Sequence, residues 1–508
     1  MAWAVPDSLH LSDWRLILIL TWACIASGYY IRRKKSPRLP PGPRGLPIIG
    51  NVLDIPTEKH WLKFTELAEV WGDIFSLTAF GQTMIIVSSL RVAEDLLDVR
   101  GANFSDRPVI PMGGELAGFN NVLPLCHYGD RVRKERKLLH QLFGTQAAVE
   151  RVIPLFSTEI QKLLRNIVLN PDGLVDDIRR ATGAITLRIA YGYHLSDGLE
   201  HDPILEMFET AGNNFFISTT PAAFLCGIGP NGCQGGFHTT AKMWSKQLHD
   251  TADAGLNYVK TEMAAGTAES SFLSTLLEEK SQEDCLLKWA AISIEVGGSG
   301  TAAAQLEAFF LAMTLYPDVQ ATAQRELDRV VGNDRLPDIS DRPQLPYVDA
   351  LCKEVIRWHV VAPLTFPHRT REDCIYDRGG GTGTAAHSEE LADYSECLRY
   401  ANPMVFNPSR FIATESREVE EDPARICFGY GRRICPGELL GKTAIFLECS
   451  AILSVFNISK ARENGVIVEP QFLSLSADIQ RHICSQVLPF KCDVEPRSAR
   501  ALNLIQSS

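Results

Sequence analysis

The sequence has 508 residues, of which 45% are hydrophobic and 22% are charged, a composition that is ordinary for globular proteins and excludes extensive disorder. Its formal net charge of -11 argues against a nucleic-acid partner, because proteins that bind nucleic acid concentrate Lys and Arg to displace counterions. The 13 cysteines are odd in number and lie mostly in apolar surroundings without paired CxxC arrays, which indicates reduced thiols facing the cytosol.

The amino-terminal region predicts a membrane anchor. The largely apolar run Trp14–Ile31 is followed by the basic residues 32–35, whereas Asp7 and Asp13 precede it. The positive-inside rule therefore predicts a short lumenal head at residues 1–13, one transmembrane helix at 14–31 and a cytosolic remainder. A cleaved signal peptide would have the opposite charge order, with the basic residues first. A buried amphipathic helix is the other alternative.

A stiff linker is predicted after the anchor, at residues 32–50. The prolines within Leu39–Pro47 lack amide donors and fix φ, so the segment forms neither a helix nor a central strand. We expect one domain from residue 51 to residue 508. Near its start, the β-rich segments Ile74–Phe80 and Thr83–Val87 predict a hairpin.

Helices dominate the rest of the predicted domain. Helical periodicity indicates helices over Arg131–Phe143, Ala181–Tyr191, Leu286–Leu315, Asp318–Val330, Tyr347–His359 and Glu438–Val455. No internal repeat or low-complexity tract is present. These elements predict a mainly α fold with a small β portion, in the α+β class.

The most specific segment of the sequence is Phe428–Gly437, which ends where a helical pattern begins. A cysteine just before a helix has its thiolate stabilised by backbone amides and the helix dipole, and the glycines permit a tight loop around it. Cys435 therefore suits a soft, electron-donating ligand of haem iron, and Arg433 is placed to pair with a haem propionate. A buried hydrophobic side chain is the alternative for a lone cysteine.

The F-x-x-G-x-R-x-C-x-G spacing of this segment resembles the haem-binding signature of the cytochrome P-450 monooxygenases, and four further segments follow that family's order. The resemblance is closest to fungal, basidiomycete members of secondary metabolism, and the Pro-rich linker is typical of microsomal members. It implies the cytochrome P-450 fold behind one transmembrane helix, haem b as the cofactor and Cys435 as its axial iron ligand. It also implies cofactor contacts from Phe428, Gly431, Arg433 and Gly437.

A pair of charged residues on a predicted helix matches a structural motif of that family. Glu354 and Arg357 share one face of the helix because of their i, i+3 spacing. By itself such a pair is usually an exposed contact. The resemblance makes it a buried structural pair that is completed by Arg410.

Two further residues resemble propionate contacts of the family. Arg136, in a basic predicted helix, matches a propionate-binding arginine, and His368 resembles a second contact. The alternative for the basic helix is a charged face in solvent. The family's tryptophan four residues before this arginine is Val132 here, so one donor to the haem edge is missing.

The long predicted helix matches the family's oxygen-binding segment, with one change. The resemblance places Gly298 beside the cofactor and makes Thr301 the catalytic residue, which holds a water that supplies a proton during oxygen activation. The family's acid is replaced by Gly300, and we expect that neither Glu295 nor Glu307 replaces it, because both project from other faces of the helix. The proton relay from bulk solvent therefore lacks its acid.

Three segments depart from the family pattern: residues 226–235, 377–400 and 472–487. The second has too many glycines for the strand pair that the family has there, so we expect no strands in it. Its glycine cluster at 379–383 lacks the flanking strand and helix of a phosphate-binding loop. Our hypothesis is that altered reading frames or retained intron sequence produced these segments, because the family pattern resumes abruptly at Asn402; the same codons in mature message would contradict it.

The sequence as a whole predicts a monooxygenase that hydroxylates or epoxidises a small lipophilic secondary metabolite, such as a terpenoid or a polyketide. The inserted oxygen atom would come from O2, and electrons would come from NADPH through a cytochrome P-450 reductase. The enzyme is expected in the endoplasmic reticulum membrane as a single-pass protein in contact with lipid, with its catalytic domain in the cytosol. The alternatives are an electron-independent haem-thiolate isomerase or dehydratase, which Gly300 favours, and a catalytically impaired haem binder from an aberrant gene model.

Two surfaces complete the predicted enzyme. Phe215, Phe216 and Phe366 are candidates for the wall of an apolar substrate pocket. A basic surface at Arg131, Arg133 and Lys134 is the candidate docking site for the acidic reductase.

Overall fold

The computed structural model describes residues 20–21, 39–56, 60–196, 202–220, 237–280, 282–372, 374–376, 384–386, 390–393, 400–470 and 485–506. Nearly all of the predicted anchor and most of the three segments that depart from the family pattern lie outside these residues. Within them, no helix combines the length and the apolar character that a membrane span requires. The anchor therefore stays a prediction.

The fold is mainly helical, as predicted. Among the described residues, the helices of eight or more residues are α1 His60–Trp71, α2 Asp130–Phe143, α3 Ile153–Leu169, α4 Leu174–Tyr191, α5 Pro203–Thr219, α6 Phe237–Ala265, α7 Phe272–Glu279, α8 Asp284–Leu315, α9 Pro317–Val330, α10 Pro346–Trp358, α11 Glu438–Val455 and α12 Ala499–Gln506. Each helix predicted from periodicity is present. The largest boundary error is at α4, which begins at Leu174 and not at Ala181, because acidic residues occupy its first turn and mask the apolar period.

Short strands make up the β portion. They are β1 Ile74–Ala79, β2 Gln82–Val87, β3 His368–Arg369, β4 Cys374–Tyr376, β5 Thr384–Ala386, β6 Glu390–Asp393, β7 Phe456–Lys460, β8 Arg462–Glu463, β9 Val466–Ile467 and β10 Cys492–Pro496. The predicted hairpin is confirmed, because β1 and β2 pair antiparallel with Ala79 opposite Gln82. β6 joins β2 and β3 into a four-stranded sheet in the order β1-β2-β6-β3.

The expectation of no strands between residues 377 and 400 was wrong. β5 pairs with β4, and β6 lies between β2, to which it is parallel, and β3, to which it is antiparallel. The local sequence has little strand propensity. The backbone groups of neighbouring strands supply the hydrogen-bonding partners, so tertiary pairing overrides that weak propensity.

The core is built around α8, which is buried over most of its length and apolar on all sides. Its closest neighbour is α4, and small residues permit this approach. A Cβ atom on Gly298 would lie 3.0 Å from Cγ2 of Thr186, so the two helices are in contact at this point. α11 packs against α8 as well, and the space between these helices becomes the site.

The carboxyl-terminal part of the predicted linker packs on β1. The Ser76 amide donates to the carbonyl of Pro41 (2.9 Å), and the Ser76 hydroxyl donates to that of Pro40 (2.7 Å). Gly42 is required there, since a Cβ atom would lie 2.1 Å from the Ser76 carbonyl oxygen. Residues 40–42 are therefore attached to the domain, which fixes where the chain enters it.

Candidate active site

A mainly apolar cavity of about 360 Å³ lies between α8, α11, α4 and the loop that precedes α11. The predicted site residues that line it are Arg136, Gly298, Thr301, His368, Phe428, Arg433, Cys435 and Gly437. Phe215, Phe216 and Phe366 line it as well, as expected. The fold therefore brings together residues that are more than 300 positions apart in the sequence.

Cys435 presents its sulfur to this cavity. The loop is closed by a hydrogen bond from the Cys435 amide to the carbonyl of Phe428 (2.8 Å), and α11 begins three residues after the cysteine. The side chain is open to the cavity although protein surrounds it on all other sides. This burial raises the pKa of the Cys435 thiol, while the Gly437 amide and the charge of Arg136 act in the opposite direction. A bound metal ion would replace the thiol proton.

Gly431 was predicted to contact the cofactor, but the structure does not place it in the wall of the cavity. Its φ is +55°, and a Cβ atom would lie 2.0 Å from the carbonyl oxygen of Leu97. Only glycine tolerates both the left-handed backbone and this close approach. Gly431 therefore shapes the loop that carries Cys435.

Positive charge accumulates on one wall of the cavity. Arg107, Arg136 and Arg433 all line it, and none of the three forms an ion pair with a described carboxylate. Burial lowers the pKa of Arg433 to about 10, and Arg136 contributes to the shift. Burial together with the charges of Arg433 and Arg136 lowers the pKa of Arg107 well below its usual value. Asp106 compensates part of the charge of Arg107 and Arg433 from a distance. Three guanidinium groups that lack a described ion-pair partner suit a cofactor that carries carboxylates, such as the propionates of haem.

Two of these arginines are held rigidly by the backbone. Arg433 donates to the carbonyls of Ser105 (2.8 Å), Leu123 (3.3 Å) and Cys126 (2.5 Å). Arg107 donates to the carbonyls of Pro124 (2.8 Å), Phe366 (2.7 Å) and Pro367 (2.9 Å). The sequence analysis missed Arg107, since nothing in its local sequence distinguishes it from an exposed arginine beside Asp106.

His368 is buried, and its Nδ1 donates to the carbonyl of Phe104 (2.7 Å). Burial and the charge of Arg107 lower the pKa of His368 well below its usual value, so the imidazole is neutral. In this tautomer Nε2 is an acceptor. A carboxylate could therefore form a hydrogen bond with Nε2 only if either the carboxylate or the ring carried an additional proton.

The opposite wall of the cavity is formed by the glycine-rich part of α8. The Thr301 hydroxyl donates to the carbonyls of Gly297 (2.8 Å) and Gly298 (3.2 Å), and its side chain lines the cavity. Gly300 carries no acid, and a Cβ atom there would lie 3.8 Å from the ring of Phe216. Thr301 is thus present without the neighbouring carboxyl group.

The predicted structural pair on α10 is confirmed as buried. Arg357 donates to Glu354 through Nε (2.6 Å) and a terminal nitrogen (2.9 Å), and Arg410 Nε donates to the same carboxylate (3.1 Å). The Asn407 amide completes the set at 2.6 Å. These charged side chains are almost fully inaccessible and tie α10 to the segment before Arg410. They do not line the cavity, which agrees with a role in the core.

The cavity wall holds one acid that the sequence analysis missed. Glu448 of α11 lines the cavity and has no hydrogen-bonding partner among the described residues, and burial raises the pKa of its carboxyl to about 8. Between the ordinary value of 4.5 and this value, the folded chain keeps a proton that the unfolded chain has lost. The free energy of unfolding therefore falls as pH rises through this range.

Glu448→Gln should remove that dependence, since the amide is neutral at every pH. From about pH 5 to pH 8, the free energy of unfolding should fall less in the variant than in the wild type. The two decreases should differ by on the order of a few kcal/mol. Thermal and urea unfolding at both pH values measure the effect. Parallel losses of stability in the two proteins would show that the carboxyl titrates normally.

Known proteins are similar to this chain over nearly its whole length. Residues 40–480 match the family model described as cytochrome P-450. The chain is 40% identical over 502 residues to cytochrome P-450 monooxygenase 208 of Postia placenta, with 96% of each protein covered. It is 41% identical over 514 residues to the monooxygenase claR of Ampulloclitocybe clavipes, covering 99% of this chain and 94% of the relative. It is 35% identical to the monooxygenase ppsD of Aspergillus oryzae, covering 97% and 95%.

Proposed function

The chain belongs to the cytochrome P-450 family, and we propose that it is a monooxygenase that hydroxylates or epoxidises a small lipophilic secondary metabolite, such as a terpenoid or a polyketide. The observation that carries this proposal is the sulfur of Cys435 in a mainly apolar cavity that three arginines also line, none with an ion-pair partner among the described residues. Haem, when bound through the thiolate, supplies the activation of O2. The apolar wall with Phe215, Phe216 and Phe366 supports a lipophilic substrate.

Each residue has a defined part in this proposal. When haem is bound, Cys435 would supply the thiolate ligand of its iron, and Arg107, Arg136 and Arg433 would hold its propionates. Thr301 holds a water in the cavity. The narrow, apolar surroundings keep bulk water away from the reacting part of the substrate.

The proposal is tested on the full chain loaded with haem. After reduction in the presence of carbon monoxide, we expect the long-wavelength Soret band of thiolate ligation. Turnover should require NADPH and a cytochrome P-450 reductase, and metabolite profiles of an expressing strain and its deletion would identify the product. A spectrum without that band would overturn haem-thiolate ligation, and product formation without NADPH would overturn the monooxygenase.

A second function has one observation in its favour. Because Gly300 replaces the acid beside Thr301, proton delivery along this part of α8 is impaired, and an isomerase or dehydratase of the haem-thiolate type would not need it. Such an enzyme would convert its substrate at the same rate with and without NADPH. The comparison of these two rates therefore separates the two functions.

The reductase is proposed to dock beside the Cys435 loop. Arg133, Arg371 and Arg432 are exposed, and their guanidinium groups lie 5.8, 5.1 and 5.8 Å from the ring centroid of Tyr128. Arg131, expected in this surface, is instead committed to the buried Glu135 at 2.7 Å. The remaining basic surface supports attraction of an acidic partner and a fast association rate.

Charge reversal tests this surface. Arg133→Glu combined with Lys134→Glu should slow reduction by the reductase about tenfold at low ionic strength and weaken its dependence on salt. Reduction by dithionite should not change. Lys63→Glu, on the exposed side of α1, is the matched control. Equal rates for the double variant and the control would refute docking at this site.

We also propose a location in the endoplasmic reticulum membrane, with residues 14–31 as the single span and the catalytic domain in the cytosol. The apolar run and the basic residues after it support this orientation. Deleting residues 1–35 should move the protein from the membrane fraction to the soluble fraction. Retention of the truncated chain in carbonate-washed membranes would contradict a single amino-terminal anchor.

A further inference from the structure

A second buried acid lies behind the cavity wall, on the side of α8 that faces α4. Glu295 is 2% exposed, and neither of its carboxyl oxygens makes a hydrogen bond of normal geometry. The hydroxyls of Thr186 and Ser299 are close enough to favour its ionised form, against the larger effect of burial. Burial raises the pKa of Glu295 to about 8, so the group is a protonated carboxyl at neutral pH.

A tyrosine next to this acid is also without a partner. The Tyr191 hydroxyl is fully buried and makes no hydrogen bond within the described residues. Burial, and then the proximity of Glu295, raise its pKa well above the usual value. The ring is fixed by Phe208 at 5.2 Å and by Gly255, where a Cβ atom would lie 2.5 Å from the ring. Buried polar groups that lack partners generally mark the position of an internal water.

The acid is one side chain away from the cavity. Thr186, its neighbour, lines the cavity and touches the backbone of α8 at Gly298. The Thr186 hydroxyl donates to the carbonyls of Thr182 (3.1 Å) and Gly183 (3.0 Å), which leaves its lone pairs free to accept a proton from Glu295.

The other side of Glu295 leads toward solvent. Glu209 on α5 interacts electrostatically with Glu295 and is itself only partly buried. Arg179 in turn stabilises Glu209 and is about half exposed. Of the other two acids of α8, Glu307 is paired with Arg179 at 3.2 Å and Asp284 with Lys260 at 2.5 Å, and neither lines the cavity. Among the acids of α8, Glu295 alone adjoins a hydroxyl of the cavity wall in the described part of the chain.

We propose that Glu295 supplies protons to the cavity through Thr186, in place of the acid that is missing at Gly300. This inference rests on the proposed monooxygenase function. The Glu295 carboxyl transfers its proton to the Thr186 hydroxyl oxygen, directly or through one water, while the hydroxyl turns from the carbonyls of Thr182 and Gly183 and passes its own proton to a water in the cavity. The resulting carboxylate takes up a proton from solvent by way of Glu209, and no electrons move. Glu295 acts through another residue and is therefore a positioning residue of the relay.

The first test is spectroscopic and needs no turnover. In infrared spectra of the oxidised holoenzyme, the wild type should show protonated carboxyl bands that disappear with a midpoint near pH 8. Glu295→Gln should remove one band and Glu448→Gln the other, which assigns them. An unchanged spectrum in Glu295→Gln would mean that the group is ionised, and the proposal would fall.

The second test measures proton delivery. Reductase-supported oxidation of NADPH should slow about tenfold or more in Glu295→Gln, and the loss of rate above pH 8 should disappear. Glu295→Asp should recover part of the rate, because it restores the acid. Thr186→Val should resemble Glu295→Gln, whereas Glu307→Gln should keep the wild-type rate and pH profile.

These outcomes separate two kinds of failure. If the wild type has the thiolate spectrum and oxidises NADPH, but Glu295→Gln has the same rate and pH profile, only the relay is overturned. If the wild type lacks the thiolate spectrum, the proposed function fails first. A third outcome is an equal loss of rate in Glu295→Gln and Glu295→Asp, with an unchanged pH profile in both. That outcome would indicate a packing defect and would also overturn the relay.

Discussion

Replacing Cys435 with serine is expected to abolish the long-wavelength Soret band and to reduce monooxygenase activity to background. The serine hydroxyl is smaller than the thiol and causes no steric clash, so the loop that is closed by the Cys435 amide and Phe428 should persist. Serine cannot donate electron density to iron as a thiolate does, and this donation is what favours cleavage of the O–O bond. Difference spectra with carbon monoxide and NADPH-dependent turnover measure the two effects.

A matched control lies in the same cavity. Cys427 also lines it, and its sulfur lies 3.8 Å from the carbonyl of Ile356. Cys427→Ser should keep the long-wavelength band. If Cys435→Ser keeps the band and Cys427→Ser loses it, the ligand has been assigned to the wrong cysteine.

Glu354→Gln should produce the largest loss of stability. The carboxylate is fully buried between the guanidinium groups of Arg357 and Arg410, and it also accepts from the Asn407 amide. Removing its charge leaves Arg357 without an ion-pair partner among the described residues and Arg410 with Glu420 alone, which costs roughly 3–5 kcal/mol. Since folded domains are stable by only about 5–15 kcal/mol, we expect most of the protein to be lost from the soluble, haem-loaded fraction.

An exposed pair with the same spacing provides the control. Lys63 and Glu66 are also three residues apart on a helix, but both are largely in solvent. Glu66→Gln should cost at most about 1 kcal/mol. Urea unfolding of both variants, with Glu354→Asp as a milder change that retains the charge, measures the difference. A loss for Glu354→Gln as small as that for Glu66→Gln would mean that the buried network does not stabilise the core.

Features that repeat along the chain or have fixed spacing could be predicted from the sequence. The helices were found because apolar residues recur with a period of about 3.6, and the hairpin of β1 and β2 because two β-rich segments flank a turn. Cys435, Arg433 and the Glu354–Arg357 pair were found because they occur at fixed distances in short motifs. The buried state of that pair could be expected only from the family resemblance.

Features that depend on contacts between distant segments were missed or misjudged. Gly431 was grouped with the cofactor contacts, although its need for glycine comes from the backbone of Leu97. β6 was not expected, because its stability comes from β2 and β3 and its own residues have little strand propensity. Arg107 was overlooked since its burial depends on two distant segments, one with Pro124 and one with Phe366.

Local residue type and spacing were enough to predict the mainly helical fold and the candidate thiolate at Cys435, and the family resemblance revealed the missing acid at Gly300. The tertiary structure decided the electrostatics of the cavity. It gathered Arg107, Arg136 and Arg433 at the cavity without an ion pair to any described carboxylate, and it buried Glu295 beside Thr186, which raises the pKa of that carboxyl. The physical reason is that desolvation and the charges of neighbouring groups depend on distances between segments far apart in the chain, which no local pattern encodes.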